Sequence, residues 1–354
     1  MSSSNFRNLQ LLELNFSPDI NLVTGPNGSG KTSILEAISV LSNGKSFRTS
    51  RIDPLICYEA KQFVLFAELE SGQRIGLQRP RTGAHSLRLQ GENQKSWESV
   101  ARALPTQVLD SGSFGLLEGG PKARRAFLDW GVFHVKHGFV VDWRRARKCI
   151  SQRNHLLKAE SSRYSDLAGW DAELSVAATA VDEARTEYID RFEPVFREVV
   201  AQFSGELAAQ LSVHYDRGWD SEKNLADVLE MGYETDRRYG ATQHGPHRAD
   251  LLVKANSRRA VEVLSRGQQK LVISALKIAQ GKLFSEFSAK GCIYLVDDLP
   301  AELDARNRGR VLDVLASINC QLVISSIEPE TLTGCFSGAS NVGRFHVEHG
   351  IISG

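Results

Sequence analysis

Apolar residues follow two different patterns in the first part of the chain, and together they predict a strand followed by a helix. Residues 20–23 are largely apolar, as in a strand buried inside a sheet. Beyond a glycine-rich stretch, apolar side chains recur at the spacing of one helical face, at Ile34, Leu35, Ile38 and Leu41. The sequence therefore predicts a strand, a glycine-rich loop and a helix in succession.

Other apolar runs before residue 115 are short and are separated by turn-forming residues such as RPRTGA. This pattern is typical of a mostly antiparallel sheet. The predicted strands lie at residues 9–14, 63–69, 74–77 and 86–89.

From about residue 124 to residue 231 the sequence predicts helices. Apolar residues from Leu174 to Phe203 recur at intervals close to 3.5 positions, which predicts one long helix or a hairpin arm of about 45 Å. Pro194 should kink or interrupt it. Packing onto neighbouring helices of the same lobe would produce the same apolar seam, so both interpretations are kept.

The last third returns to alternating strands and helices. A hairpin is predicted across Asn256 and Ser257, with strands at 250–255 and 260–264, and a helix follows Leu264. The run Cys292–Val296 is continuously apolar, as in a central parallel strand. A helix at 306–315, a strand at 321–325 and a hairpin around residues 349–350 complete this part.

Composition limits the class of protein. The formal net charge of the 354 residues is +1, so a nucleic-acid partner would have to be met by a local patch. The five cysteines are scattered and none forms a C-x-x-C pair, which favours reduced thiols and argues against zinc. No apolar run approaches the roughly 18 residues of a membrane span, so we expect a soluble cytoplasmic protein without a membrane partner.

Charge is divided unevenly within the helical middle. Residues 119–163 carry 11 Lys/Arg against three acids, a net charge of +8, whereas residues 164–236 carry 17 acids against five basic residues, a net charge of −12. The basic segment also holds aromatic residues, as nucleic-acid contact requires. We therefore predict that DNA binds Arg144, Arg145, Arg147 and Lys148. The competing interpretation is a solvated helical face above core tryptophans.

The glycine-rich loop reads GPNGSGKTS and satisfies G-x-x-x-x-G-K-[ST]. Its glycines let successive backbone N–H groups point at a phosphate, and the following helix adds the positive end of its dipole. We expect Lys31 to bridge the β- and γ-phosphates of ATP and the Thr32 hydroxyl to hold Mg²⁺. The predicted nucleotide-binding residues are Gly25, Pro26, Asn27, Gly28, Ser29, Gly30, Lys31, Thr32 and Ser33.

Two further motifs complete this chemistry. The apolar run at 292–296 ends in Asp297, predicted to hold Mg²⁺ through water, and Asp298, predicted to orient or polarise the attacking water. The sequence LSRGQQK opens a helix at Leu264, and Ser265 with Gly267 would form a second anion site at its N-terminus. A helix merely capped by Ser265 gives the same pattern.

The order of these motifs resembles that of the ATP-binding-cassette (ABC) ATPases, whose signature reads LSGGQ. The resemblance implies that ATP is sandwiched in a homodimer, each signature touching the γ-phosphate held by the other subunit. It also implies a D-loop at residues 301–304 and a switch residue at Ser325 or Ser326. The signature residues of this chain are Ser265, Arg266, Gly267 and Gln268.

Other motifs narrow the resemblance to SMC-like ATPases of bacterial DNA replication and repair. They are NFRN at 5–8, GKSFRT at 44–49, LLEGGPKARRAFLDWG at 116–131, HGPHRADL at 244–251 and DDLPAELD at 297–304. This resemblance implies ATP and Mg²⁺ as cofactors and slow, DNA-stimulated hydrolysis. It also implies binding at DNA gaps or single-strand/double-strand junctions, and work with RecR and RecO in loading the RecA recombinase.

The chain departs from that family at two places. MSSS stands where the family has an L-x-L strand, which leaves the adenine side near Phe6 and Arg7 open. Ala301 replaces the D-loop serine after Pro300, which leaves a serine contact across the dimer open.

We therefore predict an α/β fold in which residues 1–114 and 241–354 form an ABC-type P-loop ATPase head. A helical lobe bearing a short arm is inserted at 115–240. His247 and Arg248 lie in a glycine-proline turn, where a structural role is favoured over a catalytic one. Two alternatives are a Rad50-type chromosome-maintenance protein, which needs a far longer coiled coil, and a transporter's nucleotide-binding subunit, which needs a surface for membrane helices.

Overall fold

The structure is a computed structural model that describes residues 1–159, 163–288, 290–298, 303–327 and 341–353. The chain divides into two compact units, one formed by Met1–Ser113 with Lys270–Gly354 and the other by Phe114–Gln269. The second boundary between these units lies inside the helix Arg266–Phe287. The division of the sequence at 114/115 and 240/241 stays a prediction.

The first unit consists of strands in two sheets and the helices packed on them. Its helices are α1 (Lys31–Asn43), α2 (Glu98–Ala103), most of α10 (Arg266–Phe287) and α11 (Ala305–Ser317). Its strands are β1 (Ser2–Phe6), β2 (Leu9–Glu13), β3 (Ile20–Thr24), β4 (Gln62–Glu68), β5 (Arg74–Pro80), β6 (Ser86–Leu89), β7 (Glu92–Asn93), β8 (Thr106–Leu109), β12 (Cys292–Val296), β13 (Cys320–Ser326), β14 (Val342–Glu348) and β15 (Ile351–Ser353).

One sheet is antiparallel with the order β2-β1-β4-β5-β6-β7, which confirms the sheet predicted for the N-terminal part. The other has the order β15-β14-β3-β13-β12-β8 and is parallel except for the β14–β15 hairpin. Because parallel strands end at the same edge, the carboxyl ends of β3, β13 and β12 lie side by side. This edge carries both the glycine-rich loop and Asp297.

Helix α1 packs against both sheets of the first unit and belongs to one apolar core with them. Ile34, Leu35 and Val40 are fully buried. The helix ends at Gly44, whose φ is 74° and whose N–H donates to the Val40 carbonyl oxygen. A Cβ at Gly44 would lie 2.7 Å from the Trp97 ring, so only glycine fits this left-handed position.

The second unit contains most of the helices and one small sheet. Its strands β9 (Leu211–Asp216), β10 (Asp250–Ala255) and β11 (Arg258–Arg259) pair in the antiparallel order β11-β10-β9. Its helices are α3 (Pro121–Val135), α4 (Phe139–Leu157), α5 (Tyr164–Phe203), α6 (Gly205–Gln210), α7 (Leu225–Met231), α8 (Tyr233–Tyr239), α9 (Ala260–Val263) and the first turn of α10.

The predicted long helix is present as α5, which has 40 residues. It continues through Pro194, so the alternative of an interruption there was wrong. Buried aromatic residues hold the helix on both sides of the proline, since Phe192 and Phe196 are fully buried and stack with ring centroids 6.0 Å apart. The apolar face of α5 packs on α3, α4 and α7 of the same unit.

Three local predictions need correction or completion. The turn at Asn256 and Ser257 is confirmed, but the second strand ends after Arg259 and residues 260–263 form helix α9. Short apolar runs such as AVEVL fit either state, and here Ala260 is buried while Val263 is exposed. Strand β9 was not predicted. The serine-rich start forms β1, which pairs with both β2 and β4 through its backbone.

No helix in the described part of the chain is both long and apolar enough to cross a membrane.

Candidate nucleotide site

The glycine-rich loop follows β3, as predicted, and its conformation requires glycine. Gly25, Gly28 and Gly30 have φ values of 148°, 78° and 119°. A Cβ at Gly25 would lie 2.1 Å from the Val347 carbonyl oxygen, on neighbouring strand β14. The loop can therefore turn tightly into α1 and present its backbone N–H groups at the helix N-terminus.

Lys31 is folded onto this loop. Its Nζ donates to the carbonyl oxygens of Gly25 and Pro26, both at 2.8 Å, and the residue is 7% exposed. Burial lowers the pKa of the Lys31 ammonium group, and the Asp298 and Asp297 carboxylates oppose that shift. A phosphate beside Lys31 would add to the stabilisation of the charged form.

The predicted metal ligands meet at the edge of the parallel sheet. The Thr32 hydroxyl lies 2.9 and 3.2 Å from the two carboxylate oxygens of Asp297. Ser325, at the end of β13, donates to Oδ1 of Asp297 at 2.7 Å. Hydroxyl and carboxylate oxygens suit Mg²⁺, which binds few protein groups and takes its other ligands from phosphates and water. Among the described residues no group of three or more His, Cys, Asp or Glu side chains could hold a metal ion.

Asp298 has an unusual backbone conformation. Its φ is 51°, in the left-handed region, and its N–H donates to the Ser325 hydroxyl at 2.9 Å. Non-glycine residues in this region are uncommon and concentrate at functional sites. Ser325 therefore contacts both acidic residues, holding the carboxylate of Asp297 and the backbone of Asp298.

A cavity of about 480 Å³ in the first unit brings these residues together. It is lined by Asn27, Gly28, Gly30, Lys31, Thr32, Ser33, Asp297, Asp298 and Ser325, and also by Arg7, Asn8, Arg48, Pro54 and Ile327. Gly25, Pro26 and Ser29 are part of the same loop but do not line the cavity. Asn8, Arg48 and Pro54 were not among the predicted nucleotide-binding residues, although Asn8 lies in the NFRN motif and Arg48 in GKSFRT.

Buried Glu36 on α1 holds two arginines that line this cavity, Arg7 and Arg48. Arg7 donates to both of its carboxylate oxygens, at 2.7 and 2.6 Å, and Ser46 also donates to it. Arg48 lies 3.7 Å from the same carboxylate. Asn8 bridges the glycine-rich loop, since its Nδ2 donates to Gly28 at 3.2 Å and its Oδ1 accepts from Ser33 at 2.8 Å. The N-terminal strand thus reaches the site despite the missing L-x-L sequence.

The signature residues belong to the second unit and are exposed. Ser265 and Gln268 form a reciprocal cap at the start of α10: Ser265 N–H donates to Oε1 of Gln268 at 2.9 Å, and Gln268 N–H donates to Oγ of Ser265 at 3.3 Å. Arg266 pairs with Glu118, and no atom lies within 4 Å of a Cβ built on Gly267. The helix cap predicted at Ser265 is therefore present, and it leaves the N-terminus of α10 exposed to solvent. Of the D-loop, residues 301 and 302 lie outside the described residues; Asp304 caps α11 by accepting from Asn307 N–H at 2.9 Å.

The four predicted DNA-binding cations lie on α4 but differ in their surroundings. Arg145 pairs with Glu173, and this hydrogen bond raises the pKa of the guanidinium. Arg147 stacks on Trp143 with its Cζ 4.6 Å from the ring centroid. Arg144, Arg145 and Lys148 line an open groove of about 840 Å³ with Val141 and Trp170.

The uneven charge of the sequence has a partly structural explanation. Basic residues of 119–163 pair with acidic residues of 164–236 within the second unit, as in Lys136–Glu187, Arg145–Glu173 and Arg153–Asp171. Arg153 and Asp171 are both buried and hydrogen-bonded to each other, so each charge offsets part of the cost of burying the other.

The fold and this site together define the head of an ABC-type P-loop ATPase. The family model described as RecF/RecN/SMC N terminal domain matches residues 1–353. The DNA replication and repair protein RecF of Stutzerimonas stutzeri (strain A1501) is 44% identical, over 100% of this chain and 96% of its own length. RecF of Chromohalobacter salexigens is also 44% identical, over 97% of this chain and 96% of its own length.

A solved structure of the recombination mediator protein RecF with ATP, described in the RecFOR pathway, has a TM-score of 0.87. It covers 99% of this chain and 95% of its own chain at 24% sequence identity, a level that supports the fold. The chain belongs to the RecF family of DNA replication and repair proteins, within the wider RecF/RecN/SMC group.

Proposed function

We propose that this chain is an ATP-driven DNA-binding switch of recombinational repair: ATP with Mg²⁺ closes a homodimer, and slow hydrolysis reopens it. The observation that carries the proposal is the meeting of Thr32, Asp297 and Ser325 around one point beside the glycine-rich loop. Three hydrogen-bonded oxygen groups, from the first turn of α1 and the ends of β12 and β13, fix the orientation of the predicted metal ligands before any ligand arrives.

Each residue has a defined part in hydrolysis. The Lys31 ammonium and the loop N–H groups would bind and orient the phosphates, and Thr32 and Asp297 would hold Mg²⁺. Bound there, Mg²⁺ would neutralise the charge that develops on the β- and γ-oxygens. Asp298, held by Ser325, would orient the attacking water. An aspartate at this position, where transporters have glutamate, favours slow turnover.

The exposed signature supports the dimer. Ser265 and Gln268 leave the first turn of α10 open to solvent, so their helix N-terminus can meet a phosphate bound by a second copy. In such a dimer each ATP contacts the glycine-rich loop of one chain and residues 265–268 of the other.

Membership of the RecF family supports DNA as the partner of this chain, and we place the binding at gaps or single-strand/double-strand junctions. The cations Arg144, Arg147 and Lys148 are exposed on α4, and Trp143 and Trp170 lie near them. Because relatives carry the name RecF and one is described in the RecFOR pathway, we extend to this chain a cytoplasmic role with RecR and RecO in loading RecA.

The test is steady-state ATP hydrolysis by the full chain with Mg²⁺, with gapped duplex DNA or with anionic lipid vesicles added. We expect slow basal turnover that rises with gapped DNA and does not change with vesicles. Stimulation by vesicles alone would favour the transporter alternative, and no hydrolysis under any condition would overturn the ATPase proposal.

A further inference from the structure

The loop formed by residues 242–250, which contains the HGPHRAD sequence, is held by arginine side chains of the second unit. Arg124 on α3 donates to both carboxylate oxygens of Asp250, at 2.7 and 2.9 Å. The next residue, Arg125, donates to the Ala249 carbonyl oxygen at 2.7 Å. Arg185 on α5 donates to the Pro246 carbonyl oxygen at 2.9 Å. Two of the sequence motifs, LLEGGPKARRAFLDWG and HGPHRADL, therefore meet at this loop.

The charges at the loop are not balanced. Arg124 pairs with Asp250 and Arg185 pairs with Asp129. Arg248, in contrast, donates to the Thr242 carbonyl oxygen at 3.2 Å and to Oε1 of Gln243 at 2.9 Å, both neutral groups. Neither Arg125 nor Arg248 forms an ion pair with a carboxylate anywhere in the described part of the chain. Asp250 and Asp129 also attract the Arg125 charge, but they already pair with Arg124 and Arg185, so the four arginines outnumber these two carboxylates.

Neighbouring groups respond to this excess of positive charge. Burial lowers the pKa of Arg125, and the nearby Arg185 and Arg248 lower it further, while the Asp250 and Asp129 carboxylates oppose the shift. Burial also lowers the pKa of His247 to about 4, and Arg248 and Arg125 contribute to that shift. His247 therefore stays neutral and donates from Nε2 to the Thr242 carbonyl oxygen at 2.9 Å. Protonation of His247, which would add a further positive charge beside Arg125 and Arg248, is therefore disfavoured at neutral pH.

Bracing the loop does not by itself require Arg248. A Cβ at Gly218 would lie 2.4 Å from the Gly245 carbonyl oxygen, so the loop packs directly on the 217–219 backbone. Gly245 N–H also donates to the Gly218 carbonyl oxygen at 3.1 Å. Arg248 is exposed and Arg125 is half-buried, so both can present their remaining N–H donors to solvent.

We infer that Arg125 and Arg248 form a binding site for backbone phosphates of DNA, presented by the 242–250 loop and separate from the α4 groove residues. Guanidinium groups fit phosphate oxygens with two parallel hydrogen bonds. A phosphate would supply the negative charge that the folded loop lacks, and it would be contacted without regard to base sequence. The inference rests on the proposed DNA-binding function and names a second point of contact for it.

The test is fluorescence anisotropy with a labelled gapped duplex, ATP and Mg²⁺, repeated over a series of salt concentrations. For the R125Q/R248Q double variant we expect the slope of log K against log[salt] to flatten by about 1.8, because each lost phosphate contact removes about 0.9. Arg258→Gln is the matched control, since Arg258 is exposed on β11 of the same unit. It should keep the parent slope.

Three outcomes decide the matter, with thermal unfolding used to confirm the fold of each variant. A parent-like slope in the folded double variant overturns the site and leaves these arginines as braces of the loop. A parent chain that does not bind DNA at all overturns the proposed DNA-binding function and the site with it. If the double variant does not fold, exposed Arg248 decides alone: Arg248→Gln should flatten the slope by about 0.9, and Arg248→Lys should restore most of it.

Discussion

The hydroxyl of Thr32 lies 2.9 Å from a carboxylate oxygen of Asp297, although 265 residues separate them in the sequence. The contact joins the first turn of α1 to the end of β12, and it places the two predicted Mg²⁺ ligands side by side. Ser325 adds a third oxygen to the same point. A catalytic arrangement of the P-loop type therefore follows from the order of three neighbouring parallel strands.

Replacing Lys31 tests the phosphate site. Lys31→Met removes the ammonium group that now donates to Gly25 and Pro26. We expect a loss on the order of 2–4 kcal/mol in ATP binding or transition-state stabilisation. Calorimetric titration with ATP and steady-state turnover measure the two effects. Lys45→Met, at an exposed position after α1, is the control; unchanged affinity and turnover in folded Lys31→Met would end the P-loop interpretation.

Ser325→Ala tests the orientation of the acidic pair. The variant loses the hydrogen bonds to Asp297 Oδ1 and from Asp298 N–H, while leaving Lys31 and the glycine-rich loop untouched. We expect kcat to fall by about 10- to 100-fold with little change in ATP affinity, as for other residues that orient metal ligands. Ser317→Ala on α11 is the matched control. A parent-like kcat would show that Asp297 and Asp298 are held without Ser325.

The α4 cations differ in their expected contribution to DNA binding. Changing Arg144, Arg147 and Lys148 together to Ala should flatten log K against log[salt] by about 2.7, at about 0.9 per phosphate. Arg145→Ala should change it less, because Glu173 already neutralises that charge. Equal slopes for the triple variant and the parent would mean that α4 is a solvated face, as the competing interpretation holds.

Acid should destabilise the fold partly through His247. Burial lowers its pKa from the ordinary 6.5 to about 4 in the folded chain, so between these pH values the unfolded chain binds a proton that the folded chain does not bind. This contribution is complete above about pH 6.5 and is lost as the pH falls towards about 4. Between about pH 7.5 and about pH 5, the parent should lose about 2 kcal/mol more unfolding free energy than His247→Gln. Urea denaturation at both pH values measures the difference, and equal losses would contradict it.

Much of the site could be predicted because each of its motifs is a short continuous stretch of sequence. Glycines at 25, 28 and 30 predict a tight turn, and the apolar run that ends before Asp297 predicts strand β12 of the same sheet. The roles of Asn8, Arg48 and Ser325 depend on tertiary contacts that no local pattern carries. The same reason explains why β1 was not among the predicted strands, because the backbone pairing of Ser2–Phe6 with β2 and β4 does not depend on apolar side chains.

Charge patterning was less reliable than motif order. The opposite charges of residues 119–163 and 164–236 predicted an interaction surface, yet several of them pair inside the second unit. Arg125 and Arg248 lie in the motifs at 116–131 and 244–251, but they were not predicted to contact DNA. That neither forms an ion pair with a carboxylate is visible only in the folded chain.

The ATP-gated dimer, which is the central claim, is tested most directly by light scattering of the full chain with ATP and Mg²⁺. Asp298→Asn should slow hydrolysis while fitting the left-handed backbone, which asparagine tolerates, so its mass should double on addition of ATP. Adding Ser265→Arg to that variant should keep the mass at that of a monomer, because the new side chain blocks the phosphate held by the second copy. Ser221→Arg in the same background, at an exposed position of the same unit, should leave the dimer intact. A doubled mass for the Ser265→Arg variant with ATP would contradict the account, because residues 265–268 would then be only the cap of α10.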